Sequence, residues 1–172
     1  MIRLGSCVAL VVLISACSQK APEPAPQTPT PPAAAAGNGP FKIDFEIKGM
    51  MSNVIDFTSD KIWLRQGWDI DKAGEHPHFP TTEAGWIEME KESAVLAEAA
   101  NALMLPGRAV DQDAWIKYAT RLHNRSMESY RAAKARDKEA FFRAGSYVYE
   151  ACVACHQKYI LGEEPMDPPD LK

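Results

Sequence analysis

The run Cys152-Val153-Ala154-Cys155-His156 near the end of the chain constrains its fold more than any other feature. A Cys-x-x-Cys-His run is typical of c-type haem attachment, in which both thiols bond to the porphyrin and the imidazole becomes an axial ligand of the iron. Residues three and four apart lie on one face of a helix, so a helical turn here points Cys152, Cys155 and His156 the same way. The sequence therefore predicts one covalent haem c on a helix.

Two other uses of a Cys-x-x-Cys pair compete with haem attachment. A redox dithiol of the thioredoxin type lies near a strand in a βαβ pattern, and no such pattern surrounds this pair. A structural zinc site needs about four ligands, and the spare candidates are His76, His78 and His123, without a second cysteine pair. We prefer haem and keep zinc and the dithiol as alternatives.

The N-terminal residues predict export and a membrane anchor. Residues 1–16 carry Arg3 ahead of an apolar run, which is typical of a secretory signal peptide. The stretch Ile14-Ser15-Ala16-Cys17 resembles a bacterial lipobox, in which the cysteine becomes the acylated N-terminus. An ordinary signal peptide cleaved nearby is the alternative. By resemblance to Gram-negative lipoproteins, Ser18 favours the outer membrane, so we expect a periplasmic, lipid-anchored protein.

Residues 17–40 predict a tether between this anchor and a folded domain. Prolines and alanines dominate the stretch, a composition that favours extended polyproline II and cannot build a core. With Cys7 in the signal peptide, Cys17 on lipid and the last two cysteines on haem, no thiol is left over for a disulfide. The net charge of −4 comes without a basic stripe, which argues against a nucleic-acid partner.

Four segments with helical periodicity follow an alternating stretch at residues 41–47, which we interpret as an extended lead-in lying on the domain. A strand that pairs with a second copy is the less favoured alternative. The first helix is expected over residues 48–66, the second after a threonine cap before Glu83, the third from Asp111 and the fourth from Asp137. Mostly short connections predict an all-α fold, an antiparallel four-helix bundle over residues 41–162. Residues 67–80 are expected to form a longer crossing loop, and residues 163–172 a flexible tail.

A haem motif near the end of the last helix of a four-helix bundle resembles cytochrome c′ and its low-spin relatives, the class II cytochromes c. Stretches similar to residues 51–56, 80–86, 105–108 and 149–156 recur, in this order, in small bacterial cytochrome c′-like proteins. The resemblance covers about residues 48–161. It implies the fold, a single covalent haem and a location outside the cytoplasm, and by analogy a homodimer formed through the first two helices. A fold does not fix a function.

By this resemblance, the residue that lies opposite His156 determines whether the haem is suited to electron transfer or to binding small gases. In this family the distal group comes from the first helix: a methionine gives six-coordinate iron suited to electron transfer, and an apolar residue leaves the iron open to small gases. Helical periodicity places Met51 on the inward face with Ile55 and Met50 toward the edge. We predict Met51 as the sixth ligand, with Met50 less favoured and a packing role for both as the alternative. Arg108 is a candidate partner for a haem propionate, or else a solvated side chain.

These observations predict a monohaem c-type cytochrome that carries single electrons for redox protein partners while tethered to a membrane. The first alternative is a five-coordinate haem protein that binds NO or CO. A non-redox interaction module is the second alternative. No carboxylate pair or nucleophile–base set stands out in the sequence, so we do not expect an enzyme.

Overall fold

Four helices and a β-hairpin form the part of the chain described by the computed structural model, residues 40–165. The predicted signal peptide, the predicted lipidation site Cys17, nearly all of the predicted tether and the last residues of the predicted tail lie outside this range. Within it, no helix is long and apolar enough to cross a membrane.

The first helix, α1, changes type along its length. It is α-helical over Ile47–Met50, π-helical over Met51–Ile55 and α-helical again over Asp56–Trp63. The hairpin pairs β1 (Trp68–Asp71) with β2 (Gly74–Pro77) in antiparallel register. The remaining helices are α2 (Glu83–Leu103), α3 (Ala114–Ala135) and α4 (Lys138–His156), and α4 continues as a π-helical turn, Gln157–Leu161.

Helices α2 and α4 begin where the sequence predicts, because side-chain oxygens satisfy backbone N–H groups that a first turn leaves without partners. The side chain of Thr82 accepts such a bond for α2 at 3.1 Å, and Asp137 does so for α4 at 2.9 Å. Asp111 was predicted as the cap of α3. The helix itself begins at Ala114, but Asp111 accepts the N–H of Trp115 at 2.9 Å and so still serves its first turn.

Consecutive helices pack against each other in the order α1, α2, α3, α4. Between α2 and α3, Trp115 Nε1 donates to the carbonyl oxygen of Leu103 at 2.8 Å, and the hydroxyls of Ser93 and Ser129 are 2.9 Å apart. Residue numbers thus rise along one helix as they fall along the other, which is an antiparallel pair. The predicted helical bundle is confirmed for the described residues.

The core lies between the helices and contains apolar side chains that repeat at helical spacing along α2, α3 and α4. Trp86 of α2 meets Phe141 of α4 edge to face, with ring centroids 5.6 Å apart. The largest contributors from these three helices are all buried: Trp86, Met89, Leu96, Leu103, Trp115, Leu122, Phe141 and Val148.

Residues 67–80 differ from the predicted loop because they contain the hairpin. The Asp71 carboxylate accepts the N–H groups of Ala73 and Gly74 at 2.7 and 3.2 Å, which closes the tight turn between the strands. Trp68 packs edge-on against Phe79 of the loop and Phe142 of α4. Both strands are exposed along their length, so they lack the apolar alternation that would have revealed them.

The inward face predicted for α1 was wrong at its N-terminal end. Met50 was placed toward the edge, yet it is 6% exposed and belongs to the core, whereas Met51 is half-buried. The prediction assumed unbroken α-helical periodicity, and the π-helical turn that begins at Met51 adds a residue to one turn. Residues 41–46 form neither helix nor strand, as expected of a lead-in.

Candidate functional site

A cavity of about 370 Å³ opens beside the Cys-x-x-Cys-His turn. Cys152, Cys155 and His156 of α4 line it, and Met51 of α1 lines it as well. Mostly apolar and aromatic side chains from all four helices and the turn after α4 supply the rest of the wall, among them Ile55, Trp63, Leu103, Trp115, Tyr118, Ala119, Leu122, Tyr149 and Leu161. This volume falls within the range of about 300–1,000 Å³ that is usual for small-molecule sites.

The helical turn at the end of α4 brings the three motif residues to one surface, as their spacing predicts. Cys152 and Cys155 are half-buried, His156 is exposed, and all three border the same cavity. The helix continues past the motif as the π-helical turn and ends at Gly162, whose φ of 71° places it in the left-handed region that favours glycine. The motif therefore sits inside continuous helix rather than at a frayed end.

The two thiols lie in surroundings that disfavour their charged form. Burial, together with the neighbouring thiol of Cys155 and the carboxylate of Asp56, raises the pKa of Cys152 to about 12. Burial and the charge of Asp111 raise the pKa of Cys155 to about 11. Redox-active dithiols work through a thiolate whose pKa is lowered, so these surroundings argue against the dithiol alternative.

The histidines proposed as spare zinc ligands lie elsewhere in the described fold. On the hairpin, His76 contacts Asp71 and His78 contacts Asp69, each with 3.0 Å between nitrogen and oxygen. His123 lies on α3, and none of the three lines the cavity. Within residues 40–165, no three His, Cys, Asp or Glu side chains gather in a way that could hold a metal ion.

The two methionines of α1 that are candidates for the sixth ligand lie in different surroundings. Met51 lines the cavity together with His156, and Met50 packs in the core without reaching the cavity wall. Methionine sulfur is a weak but established axial ligand of haem iron. The structure thus favours the predicted choice of Met51 over Met50 on position, although α-helical periodicity gave the wrong reason for it.

Arg108 has a different environment from the one expected of a propionate partner. Its side chain is buried and donates to the carbonyl oxygens of Ala102 at 2.9 Å and Phe45 at 3.3 Å. It is not among the residues that line the cavity. These contacts tie the lead-in before α1 to the end of α2, and pairing with a propionate stays a prediction.

Ser59 is a cavity residue that the sequence analysis missed. Its side chain is 1% exposed, it lines the cavity, and its hydroxyl has no hydrogen-bond partner among the described residues. A buried hydroxyl without a partner costs about 1–3 kcal/mol. Its presence in the wall fits a cavity that faces a bound group. A serine in a helical sequence gives no signal of this kind.

A hydrogen bond between Tyr159 and Asp111, which we call the brace, lies behind the cavity wall and was not predicted from the sequence. The hydroxyl of Tyr159, in the π-helical turn after α4, donates to the Asp111 carboxylate. The Tyr159 ring packs edge-on against Trp115 and Tyr118, with centroids 5.0 and 6.2 Å apart, and both of these side chains line the cavity. Burial raises the pKa of Asp111, but hydrogen bonds from Tyr159 and from backbone N–H groups outweigh it and hold the pKa below its ordinary value.

The described residues therefore define a four-helix bundle with a largely apolar cavity whose wall carries a Cys-x-x-Cys-His turn and a methionine from the first helix. The residues present fit a flat apolar cofactor held through two thioethers, one imidazole and one thioether sulfur. Comparison with protein-family models, with curated proteins and with solved structures found no match to this chain.

Proposed function

We propose that this protein is a monohaem c-type cytochrome that carries one electron at a time. Cys152 and Cys155 would hold one haem c through thioether bonds, and His156 and Met51 would bind its iron. The observation that carries this proposal is that one cavity borders the whole Cys-x-x-Cys-His turn and the methionine of α1.

When bound, the haem supplies a reversible one-electron exchange at its iron. The protein residues set the conditions for that exchange. A methionine ligand opposite histidine raises the reduction potential. The apolar wall, which includes Ile55 and Leu122, would keep water away from a bound haem. Helices α1 and α4 hold Met51 and His156 in place, so that little needs to move between oxidation states.

The proposed carrier is anchored in the periplasm by lipid on Cys17, more specifically at the outer membrane, and residues 17–40 act as its tether. The lipid would keep the folded domain close to redox protein partners in or near the membrane. Pairing of two copies through α1 and α2 remains an analogy with the cytochrome c′ family.

A five-coordinate haem protein that binds NO or CO is the second candidate. The apolar character of the cavity favours it, because side chains such as Ala119 and Leu122 would accommodate a small uncharged gas next to the iron. The two functions differ in whether Met51 bonds to iron.

Haem attachment is tested first, on full-length protein produced together with a cytochrome c maturation system. We expect the mature protein to gain the mass of one haem and to retain haem stain on a denaturing gel. Replacement of both Cys152 and Cys155 by alanine should abolish the stain. A mature parent protein without added haem mass would refute the proposal, while haem-free protein with bound zinc would restore the zinc alternative.

Met51 ligation is tested by the absorption spectrum of the ferric holoprotein. We expect the weak far-red band of methionine-ligated haem, its loss in Met51→Leu and its retention in Met104→Leu. Leucine nearly conserves the volume of methionine, and Met104 is a half-buried methionine outside the cavity wall, which makes it a matched control. A parent protein that lacks the band and whose ferrous form binds CO rapidly and stoichiometrically would be the gas-binding protein instead.

A further inference from the structure

Two rows of side chains run along α1, and each contains a step of five residues. In the core row, Met50 and Ile55 are both buried, and Ile62 continues the row. Ile55 lies where this row meets the cavity, so its side chain also borders the cavity. In the cavity row, Met51 and Asp56 both line the cavity, which Trp63 also borders. Both five-residue steps cross the π-helical turn Met51–Ile55.

An unbroken α-helix would not align residues five apart. It advances by about 100° per residue, so a step of five leaves two side chains about 140° apart around the axis. Here the N–H of Asp56 bonds to the carbonyl oxygen of Met51, so that five residues complete the turn. In an α-helix of the same sequence, residues four apart would align instead. Ser52 would then lie on the same face as Asp56, and Met51 on the same face as Ile55.

We infer that the π-helical turn sets the register of α1 so that a thioether, and not a hydroxyl, faces the haem iron. In its absence Ser52 would occupy the cavity row and Met51 would move to the core row. This inference rests on the proposed His156/Met51 ligation and identifies what places the second ligand. The turn acts as a positioning element, since its other residues need not touch the iron.

Contacts at both ends of α1 hold the extra residue in place. Before the turn, Met50 is buried and Arg108 binds the carbonyl oxygen of Phe45. After it, Ile62 is fully buried and Trp63 Nε1 donates to a carbonyl oxygen of α4 at 3.1 Å. The helix therefore has two fixed ends with one residue too many for α geometry between them.

Two exposed side chains support the wide turn from outside. Ser52 Oγ donates to the carbonyl oxygen of Lys48 at 3.1 Å, and Asn53 Nδ2 donates to that of Gly49 at 2.9 Å. Such bonds from a side chain to the carbonyl four residues earlier commonly accompany distortion of a helix. The side chains of Ser52 and Asn53 thus satisfy backbone carbonyl groups just before the π-helical turn, and neither side chain lines the cavity.

The test is a pair of single-residue deletions in α1 of the full-length holoprotein. Deletion of Asn53 leaves Met51 four residues before Asp56 and Met50 four before Ile55, so an ordinary α-helix keeps both rows. Deletion of Asp60, an equally exposed residue in the α-helical part, rotates one half of the helix by about 100° against the other. Asn53→Ala controls for loss of the amide hydrogen bond alone.

We expect the Asn53 deletion to keep cooperative unfolding and the far-red band, and Met51→Leu in that background to remove the band. The Asp60 deletion should lose both properties. The inference is overturned if the Asn53 deletion loses cooperative unfolding as the Asp60 deletion does. It is also overturned if the Asn53 deletion stays folded but loses the far-red band. If the parent protein itself lacks the band, the proposed ligation has failed, and the unfolding comparison still decides the register.

Discussion

The contact between Asp111 and Tyr159 leads to a quantitative prediction about what stabilises the Cys-x-x-Cys-His turn. Asp111 lies in the loop before α3, and its carboxylate accepts bonds from the N–H of Asp113 and Trp115 and from the hydroxyl of Tyr159. Tyr159 follows His156 by three residues. Asp111→Ala removes all of these bonds at once, so it should loosen both the start of α3 and the end of α4.

The expected loss of unfolding free energy is about 2–4 kcal/mol. Loss of a cap at a helix start costs about 0.5–2 kcal/mol, and a hydrogen bond to a charged group contributes about 1.5–3 kcal/mol. Tyr159 is half-buried, so its freed hydroxyl reaches water and the total stays below the simple sum. Asp113→Ala is the matched control: Asp113 occupies the N-cap position without a side-chain cap bond, so its loss should cost at most about 0.5 kcal/mol.

Urea unfolding of the holoprotein measures these costs, and a double-mutant cycle isolates the pair. Tyr159→Phe keeps the ring against Trp115 and removes the hydroxyl. Combined with Asp111→Ala, it should reveal a coupling of about 1–2 kcal/mol, within the range for contacting residues. Additive effects of the two substitutions would refute the brace, as would an Asp113→Ala variant as unstable as Asp111→Ala.

The same carboxylate predicts a dependence on pH. The folded state holds the pKa of Asp111 below its ordinary value of 3.8. A depressed pKa contributes stability that is complete above the unfolded-state value and is lost as the pH falls through the folded-state value. The stability gap between the parent and Asp111→Asn should therefore be constant from neutral pH down to about 4 and shrink below it. A gap that widens in acid would contradict this assignment.

Two further predictions concern contacts away from the cavity. Thr82→Ala should reduce the unfolding free energy by about 1 kcal/mol because α2 loses its cap, whereas Thr81→Ala, one residue earlier and exposed, should have little effect in the same thermal unfolding assay. Arg108→Ala should cost about 2–4 kcal/mol through its two bonds to carbonyl oxygens, without altering the haem spectrum, whereas exposed Arg143→Ala should cost at most about 0.5 kcal/mol. A shift in reduction potential with little loss of stability in Arg108→Ala would favour the propionate role instead.

The sequence could predict three of the helices closely because their signals are local. Thr82 and Asp137 are cap residues whose oxygens act on the next few N–H groups, and the apolar positions of α2, α3 and α4 repeat at helical spacing. The common face of Cys152, Cys155 and His156 follows from the geometry of one helical turn. The hairpin was missed because its strands are short and exposed, and periodicity reports burial.

The sequence by itself thus determined three of the helices and the common face of the Cys-x-x-Cys-His turn, since these depend on residues within a few positions of each other. Tertiary structure decided which methionine faces that turn, because the π-helical step in α1 depends on contacts at both ends of the helix. It also decided that Arg108 holds the lead-in and that Asp111 meets Tyr159, 48 positions apart in the chain. Contacts at that separation arise only when the helices pack, and no local pattern encodes them.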